Sequence, residues 1–250
     1  MGPSFVSGAG PTRLTVTIEP LTSPRRRARS FGLALSQRLS VANNERIRMS
    51  LAPQRLTRQE YLEFERGSNL RHEYHDGVVY AMSGAKRRHS VVATNVARVL
   101  GNQLLDRPCE IYQSDMRVKV SPTGLYTYPD VVTVCGEPRF EDDQDDTLLN
   151  PTIVVEVLSA STEAYDRGEK FAHYRRVSSV TDYVLISPDR MRVEHYRRQS
   201  DQHWVLSEHS HPDETVELSG IGASLTLHDI YHKVAFKPTL LRPGGSGDCV

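Results

Sequence analysis

The sequence predicts an α/β domain in which short buried strands alternate with amphipathic helices. Two apolar, β-branched runs, Val131–Val134 and Ile153–Val157, have the length and composition of buried strands. Between positions 89 and 106, apolar residues recur at the spacing of one helix face. A chain of 250 residues with both periodicities favours one α/β domain with tails.

The first elements are marked by local signals. Thr57 and Glu60 form a capping-box pattern that opens a helix ending near Phe64. Asp76-Gly77 stands between strand-like runs and predicts a β-hairpin. A helix over His89–Asp106 and a strand over Glu110–Val120 follow. The turn at residues 121–124 then returns the chain into a strand that holds Asp130.

The second half continues the alternation. Thr162 is a candidate cap for a helix over Glu163–Val177, which would place Phe171 and Tyr174 on its apolar face. The remaining predicted elements are the strands Asp182–Ser187, Met191–Arg198, Trp204–Leu206 and Val216–Leu218 and a closing helix over Leu227–Val234.

Charge and composition divide the chain unequally. Residues 1–48 hold eight Arg and two Glu, whereas the remaining residues hold 23 basic and 29 acidic side chains. We predict a disordered basic extension at 1–48, a domain at 49–236 and a flexible tail at 237–250. Met49 resembles a natural start, so the extension is either disordered or untranslated, with a transit peptide as a further alternative.

The acidic domain bears on the class of partner. Most of the affinity of a tight non-specific duplex binder comes from neutralising phosphates, which an acidic domain does poorly. Its composition therefore argues against a protein that coats DNA. A nuclease stays possible, because bound metal ions supply local positive charge.

Two carboxylates stand out because they interrupt or adjoin apolar strands. Asp130 precedes the first buried run and Glu156 lies inside the second. Burying a carboxylate costs several kcal/mol unless it is paired, and a divalent cation is one such partner. Lys170 follows on the next predicted helix. Two carboxylates and a lysine are the groups that a metal-dependent phosphodiesterase needs.

These residues carry a resemblance to a known family. The segments are Pro129-Asp130, Glu156-Val157-Leu158-Ser159, Ser161-Thr162, Asp166, Lys170 and Tyr174, together with Tyr74-x-Asp76-Gly77 upstream and Leu227–Ile230 downstream. In this combination the chain resembles the Uma-type family of restriction endonucleases, within the PD-(D/E)xK nuclease superfamily. The resemblance covers about Leu56 to Val234.

The resemblance implies a restriction-endonuclease-like α/β fold, a mixed sheet of four or five strands flanked by helices. It implies Asp130, Glu156 and Lys170 as catalytic residues. Asp130 and Glu156 would be metal ligands, with Glu73 as a further candidate ligand. The implied cofactor is Mg²⁺ or Mn²⁺, and the implied partner is nucleic acid, with DNA expected. One departure is that Leu158 stands where the superfamily places its lysine, so Lys170 would replace that lysine from the following helix.

Structural alternatives accompany these roles. Lys170 could pair with Asp166 at i,i+4 on a solvated helix face, and Arg71 could satisfy Glu73. His89, near a helix start, could contact phosphate, although a structural role is favoured. The acidic run 141–146 lacks the Gly and terminal Glu of a calcium loop and is interpreted as a solvated connector. At the level of function, the alternative is a catalytically inactive nuclease fold that serves as a binding module.

Cysteine count and hydropathy give the remaining expectations. Three cysteines, an odd number without zinc-like spacing, argue against a disulfide framework, and from this we expect a reducing, cytoplasmic setting. No apolar run approaches the length of a membrane span, so no membrane is expected as a partner. A homodimer is plausible, because two-fold symmetry suits the cutting of two strands.

Overall fold

The structure, a computed structural model, describes residues 55–200 and 203–236. The predicted extension at 1–48 and tail at 237–250 lie outside the described residues. Within the described part, the chain forms a mixed α/β architecture of three β-sheets and short helices. The predicted α/β class is confirmed.

The central element is a six-stranded sheet with the strand order β11-β10-β9-β8-β6-β3. Its strands are β3 (Cys109–Gln113), β6 (Val131–Cys135), β8 (Ile153–Val157), β9 (Asp182–Ile186), β10 (Val193–Ser200) and β11 (His203–His209). β8 and β9 are parallel and the other neighbours are antiparallel. The sheet is therefore mixed, as implied, but it has more than four or five strands.

Two smaller sheets accompany it. A five-stranded sheet has the order β2-β1-β5-β4-β7, and a two-stranded sheet pairs β12 with β13. Their strands are β1 (His72–His75), β2 (Val78–Ala81), β4 (Arg117–Val120), β5 (Leu125–Thr127), β7 (Thr147–Leu148), β12 (Thr215–Leu218) and β13 (Ala223–Thr226).

The helices are α1 (Arg58–Gly67), α2 (Arg87–Gln103), α3 (Glu163–Tyr165), α4 (Phe171–Tyr174) and α5 (Leu227–Ile230), with a π-helical turn at Asp166–Lys170 between α3 and α4. Among the described residues, no helix combines the length and the hydropathy that crossing a bilayer requires.

The core is divided between the two faces of the central sheet. Since side chains alternate along a strand, Val131 and Val155 pack into the cluster that includes α2. Val132 and Val154 pack into a second cluster with β4 and Tyr174 on the opposite face. Glu156, two positions after Val154, projects toward the same face as Val154. The alternation thus turns one carboxylate away from α2.

The start of the domain follows the sequence signals. Thr57 caps α1, and its side chain and that of Glu60 satisfy each other's backbone N–H groups as a capping box. Asp76 and Gly77 both have positive φ, 47° and 84°, as a two-residue type I′ hairpin turn requires.

The predicted strand over Glu110–Val120 is wrong. The chain turns after β3, where the Met116 N–H donates to the Gln113 carbonyl at 3.0 Å, and β4 then joins a different sheet. Asp130 also lies outside a strand, in the loop between β5 and β6. The alternation of apolar and polar residues continues through β3 and β4, so it does not reveal the turn between them.

The predicted helix over Glu163–Val177 ends earlier, at Tyr174, and contains the π turn. Thr162 has helical backbone angles and makes no capping hydrogen bond, so the predicted cap is wrong. Its own N–H donates to the Ser159 carbonyl at 3.2 Å and to Ser159 Oγ at 3.3 Å. The Tyr183 hydroxyl donates to the Asp166 carbonyl at 2.9 Å within the π turn.

The cysteine expectation is also corrected. Cys109 and Cys135 stand opposite each other on β3 and β6 and form a disulfide, with their Cα atoms 4.1 Å apart. An odd number of cysteines in the chain does not prevent two of them from pairing. The prediction of a cytoplasmic location thereby loses the support it drew from unpaired cysteines.

The acidic run at 141–146 is more than a solvated connector. Arg66 of α1 contacts Asp142 at 2.7 Å and Asp146 at 2.8 Å, and Lys119 contacts Glu141 at 2.6 Å. Three carboxylates of the run are thus paired with cations of the chain itself.

Substituting Gly77 tests how far the hairpin depends on glycine. A Cβ at Gly77 would lie 2.7 Å from Arg55 Cβ, whereas a Cβ at Gly124 (φ 75°) would meet nothing within 4 Å. We expect Gly124→Ala to lower the free energy of unfolding by about 1 kcal/mol through φ alone, and Gly77→Ala by about 2 kcal/mol or more. Urea denaturation of both variants measures the difference, and equal losses would contradict the proposed crowding.

Candidate functional site

The register between β6 and β8 brings Asp130 and Glu156 together. Val131 pairs with Val155, so one step further along the antiparallel ladder Asp130 stands opposite Glu156. There the ladder ends, and Asp130 Oδ2 accepts a hydrogen bond from the N–H of Val157 at 2.7 Å. The end of β6 is thus fixed to β8 through a side chain, and the two predicted carboxylates share one edge.

Glu73 of β1 joins the same group. Thr127 Oγ1 donates to Glu73 Oε1 at 2.5 Å, and Lys170 Nζ lies 3.1 Å from that oxygen. The alternative partner, Arg71, contacts Asp115 instead, at 3.3 Å. β1 therefore delivers Glu73 to the cluster formed by Asp130, Glu156 and Lys170, and Thr127 of β5 orients it.

Lys170 lies on the π turn with only 4% of its surface exposed. Its Nζ is 2.9 Å from Glu156 Oε1 and 3.1 Å from Glu73 Oε1, and its contact with Asp166 is the longest of the three, 3.7 Å. The pairing with Asp166 thus exists, but on a buried face rather than a solvated one. The ammonium reaches across from the helix to carboxylates of two strands.

His89 extends the site toward α2. Its Nε2 lies 3.2 Å from Asp130 Oδ2, the same oxygen that accepts the Val157 N–H. The sequence predicted only a phosphate contact or a structural role for His89. Nothing in its spacing from Asp130 indicates that the two side chains meet. Thr127 was likewise missed, since a threonine in an apolar strand carries no distinguishing signal.

Burial sets the proton affinities of the cluster. It raises the pKa of Glu156 well above its usual range, and the nearby charges of Asp166 and Asp130 raise it further against the opposing effect of Lys170. Burial likewise raises the pKa of Asp166. Burial alone would lower the pKa of Lys170, but Glu156 and Glu73 outweigh it and raise that pKa. The lysine therefore stays charged.

His89 shows the same competition. Burial lowers the pKa of its imidazole, but the hydrogen bond and charge of Asp130 outweigh burial, so the pKa is raised overall. Protonated His89 would give Asp130 a positive neighbour from α2.

The donor set fits a divalent cation. Glu73, Asp130, Glu156 and Asp166 supply up to four negative charges, against one lysine and one titratable histidine. Apart from its ion pair with Lys170, the buried Glu156 Oε1 has no hydrogen-bond partner among the described residues. Carboxylate oxygens are the ligands that Mg²⁺ and Mn²⁺ prefer. Asp130, Glu156 and Glu73 are the residues that could hold such an ion.

Comparison with known proteins gives a family, two relatives and a fold. A family model described as "Uma2: Putative restriction endonuclease" matches residues 58–228. An uncharacterized protein of Synechocystis sp. is 38% identical over 184 residues, which are 73% of this chain and 94% of that protein. A second uncharacterized Synechocystis protein is 35% identical over 164 residues, 66% of this chain and 93% of that protein.

A solved structure has a similar fold. It is the crystal structure of a "putative nuclease belonging to DUF820" from Anabaena variabilis, with a TM-score of 0.58 and 18% identity. The match covers 70% of this chain and 97% of the other. At this identity the similarity establishes the fold alone. The predicted restriction-endonuclease-like architecture is confirmed.

The raised pKa values predict how stability changes with pH. A group whose pKa is raised by folding stabilises the fold below its unfolded-state pKa, and that contribution is lost as pH rises through the folded-state pKa. Glu156 and Asp166 act in this way from about pH 4 upward, and His89 from about pH 6.5. In metal-free buffer, the free energy of unfolding should therefore fall as pH rises from about 4, by up to about 1.4 kcal/mol per pH unit for each proton released.

Glu156→Gln tests the contribution of the Glu156 carboxyl to this pH dependence of stability. Because glutamine does not ionise, this variant should lose less stability than the wild type over the same pH range. Glu217→Gln, an exposed change on β12, is the matched control and should keep the wild-type slope. Urea denaturation at several pH values provides the slopes, and a Glu156→Gln slope equal to that of the wild type would show that this carboxyl does not titrate in the range.

Proposed function

The chain belongs to the Uma2 family, and we propose that it is a Mg²⁺- or Mn²⁺-dependent endonuclease that hydrolyses phosphodiester bonds of DNA. The observation that carries this proposal is that Glu73 and Glu156 contact the buried ammonium of Lys170, while Asp130 stands opposite Glu156 at the end of the strand ladder. The family match and the nuclease fold of the Anabaena structure support the reaction class.

Each residue has a defined task in this proposal. Asp130 and Glu156 are the metal ligands, with Glu73 as a third, and Lys170 is the catalytic cation. The divalent cation, when bound, would activate water and neutralise charge on the phosphoryl oxygens. Thr127 holds Glu73 in place, and the Val157 N–H and His89 hold Asp130.

Lys170 contributes a permanent positive charge. Its raised pKa keeps the ammonium protonated at neutral pH, and three carboxylate contacts fix it in position. A charge fixed before the reaction begins stabilises the developing negative charge of the transition state without reorganisation. A helix supplies this lysine, although the superfamily pattern places it directly after β8, at the position of Leu158.

The N-terminus of α2 supports a nucleic-acid substrate. Lys86 and Arg87 are exposed there, and neither makes an ion pair with another described residue. The first turn of this 17-residue helix contains no acidic residue, and Lys86 makes no side-chain cap, so backbone N–H groups are available. Helix N-termini with free N–H groups and added cations bind phosphate. His89, two residues further, contacts Asp130 and so connects this surface with the carboxylates.

The decisive experiment incubates the purified full chain with plasmid DNA and Mg²⁺ or Mn²⁺. Cleavage by the wild type and none by Glu156→Ala would support the proposal. Binding of DNA without cleavage under any of these metals would favour the alternative, a catalytically inactive nuclease fold that acts as a binding module. The expected homodimer stays a prediction, which light scattering on the same preparation measures.

Lys170 is tested by single-turnover cleavage. Lys170→Ala should lower the rate on the order of a hundredfold, the effect of losing one preorganised charge. Mg²⁺ affinity should change little, because lysine is not a ligand. Lys170→Arg should restore only part of the rate, since a planar guanidinium cannot place its charge at the same point. Wild-type rates in Lys170→Ala would exclude a catalytic role for this lysine.

The helix N-terminus is tested by a paired substitution. Lys86→Glu with Arg87→Glu should weaken DNA binding and make it less dependent on salt, because two phosphate contacts are lost. The cleavage rate at saturating DNA should stay close to that of the wild type. Glu137→Lys, an exposed change in the loop after β6, is a charge-changing control. Unchanged binding by the double variant would place the DNA on another surface.

A further inference from the structure

A second group of potential metal ligands lies beside the carboxylate cluster. It consists of His75, the last residue of β1, with Glu169 of the π turn and His173 of α4. One ligand atom from each of the three residues can be chosen so that all lie within 4.8 Å of one another. Sequence reasoning did not identify this group, because β1 and the helix are almost a hundred positions apart.

Local geometry explains the convergence. Side chains two apart on a strand share a face, so His75 follows Glu73 toward the helix that carries Lys170. Glu169 and His173 are four residues apart and share one side of that helix, with His173 Nε2 4.0 Å from Glu169 Oε1. The two imidazole rings meet edge to face, with their centroids 4.6 Å apart.

The imidazoles lack ordinary partners. His173 is 9% exposed and its Nδ1 is buried with no hydrogen-bond partner in the described part of the chain. The side chain of His75 likewise makes no hydrogen bond to any described residue. A buried imidazole without a partner costs free energy, and coordination of a cation is one way to remove that cost.

We propose that His75, Glu169 and His173 form a binding site for a borderline-soft divalent cation such as Zn²⁺. Two imidazoles and a carboxylate are ligands that Zn²⁺ accepts, with bonds of about 2.0–2.2 Å. Small movements close the distances, because Glu169 is 63% exposed on its side chain and His75 adjoins the hairpin turn. Three protein ligands leave a fourth position open to water or an anion.

The site differs in chemistry from the carboxylate cluster. Its nitrogen ligands select Zn²⁺ over Mg²⁺, whereas the all-oxygen set of Asp130, Glu156 and Glu73 favours Mg²⁺ or Mn²⁺. Its ion would join the hairpin that carries Glu73 to the helix that carries Lys170. Occupancy would therefore restrain the distance between Glu73 and Lys170 and would stabilise the fold by mass action.

Calorimetric titration of Zn²⁺ into the chelator-treated full chain, with excess Mg²⁺ present, tests the proposal. We expect one tight site per chain and a Zn²⁺-dependent rise in melting temperature. His75→Ala and His173→Ala should each weaken this binding at least about a hundredfold, since a direct ligand matters at least as much as its outer-shell support. Co²⁺ in place of Zn²⁺ should give visible absorption that both variants lose.

Matched variants make the outcome decisive. His228 and His232 form a histidine pair that is not part of the proposed site, with ring centroids 6.4 Å apart, so His228→Ala should leave Zn²⁺ binding unchanged. Should His75→Ala or His173→Ala fail to fold, Glu169→Gln removes an exposed ligand and should still weaken binding. Glu156→Gln should bind Zn²⁺ like the wild type, which separates this site from the proposed nuclease. Wild-type binding by Glu169→Gln and either histidine variant, or loss in His228→Ala, would overturn the proposal.

Discussion

The burial of one ammonium among carboxylates from separate segments is the constraint on which the rest of the site depends. Lys170 contacts Glu73 of β1, Glu156 of β8 and Asp166 of its own helix, all within 4 Å. An unpaired charge at this depth would cost several kcal/mol, so each segment must deliver its side chain together with the others. The fold therefore requires the five-stranded sheet, the central sheet and the helix to meet at this point.

The sequence could predict the members of this cluster but not how they are held. Glu156 was identifiable because it interrupts an apolar strand, and the register of two antiparallel strands then places Asp130 opposite it. The contact of His89 with Asp130 joins residues 41 positions apart, which no periodicity records. Local signals predicted α1 and the first hairpin, because a capping box and a type I′ turn are satisfied within a few residues.

Elements whose conformation depends on contacts with distant residues could not be predicted from the sequence. The strand predicted over 110–120 is divided between two sheets, and only the neighbours of each half decide which sheet it joins. The π turn at Asp166–Lys170 has no marker in its composition. It occurs where a helix must present both Asp166 and Lys170 to the buried cluster, with the Tyr183 hydroxyl bonded to the Asp166 carbonyl. π-helical turns are frequent at functional sites.

The disulfide between Cys109 and Cys135 changes how the chain would respond to mechanical force. The two residues are 26 positions apart, and the segment between them contains β4, β5 and Asp130. A chain pulled from both ends transmits tension through the sulfur–sulfur bond and bypasses that segment. About 90 Å of extended length would thus stay unloaded, at about 3.3–3.6 Å per residue. Reduction of the disulfide would let the segment between the two cysteines extend, and the applied force would then act on the backbone at Asp130.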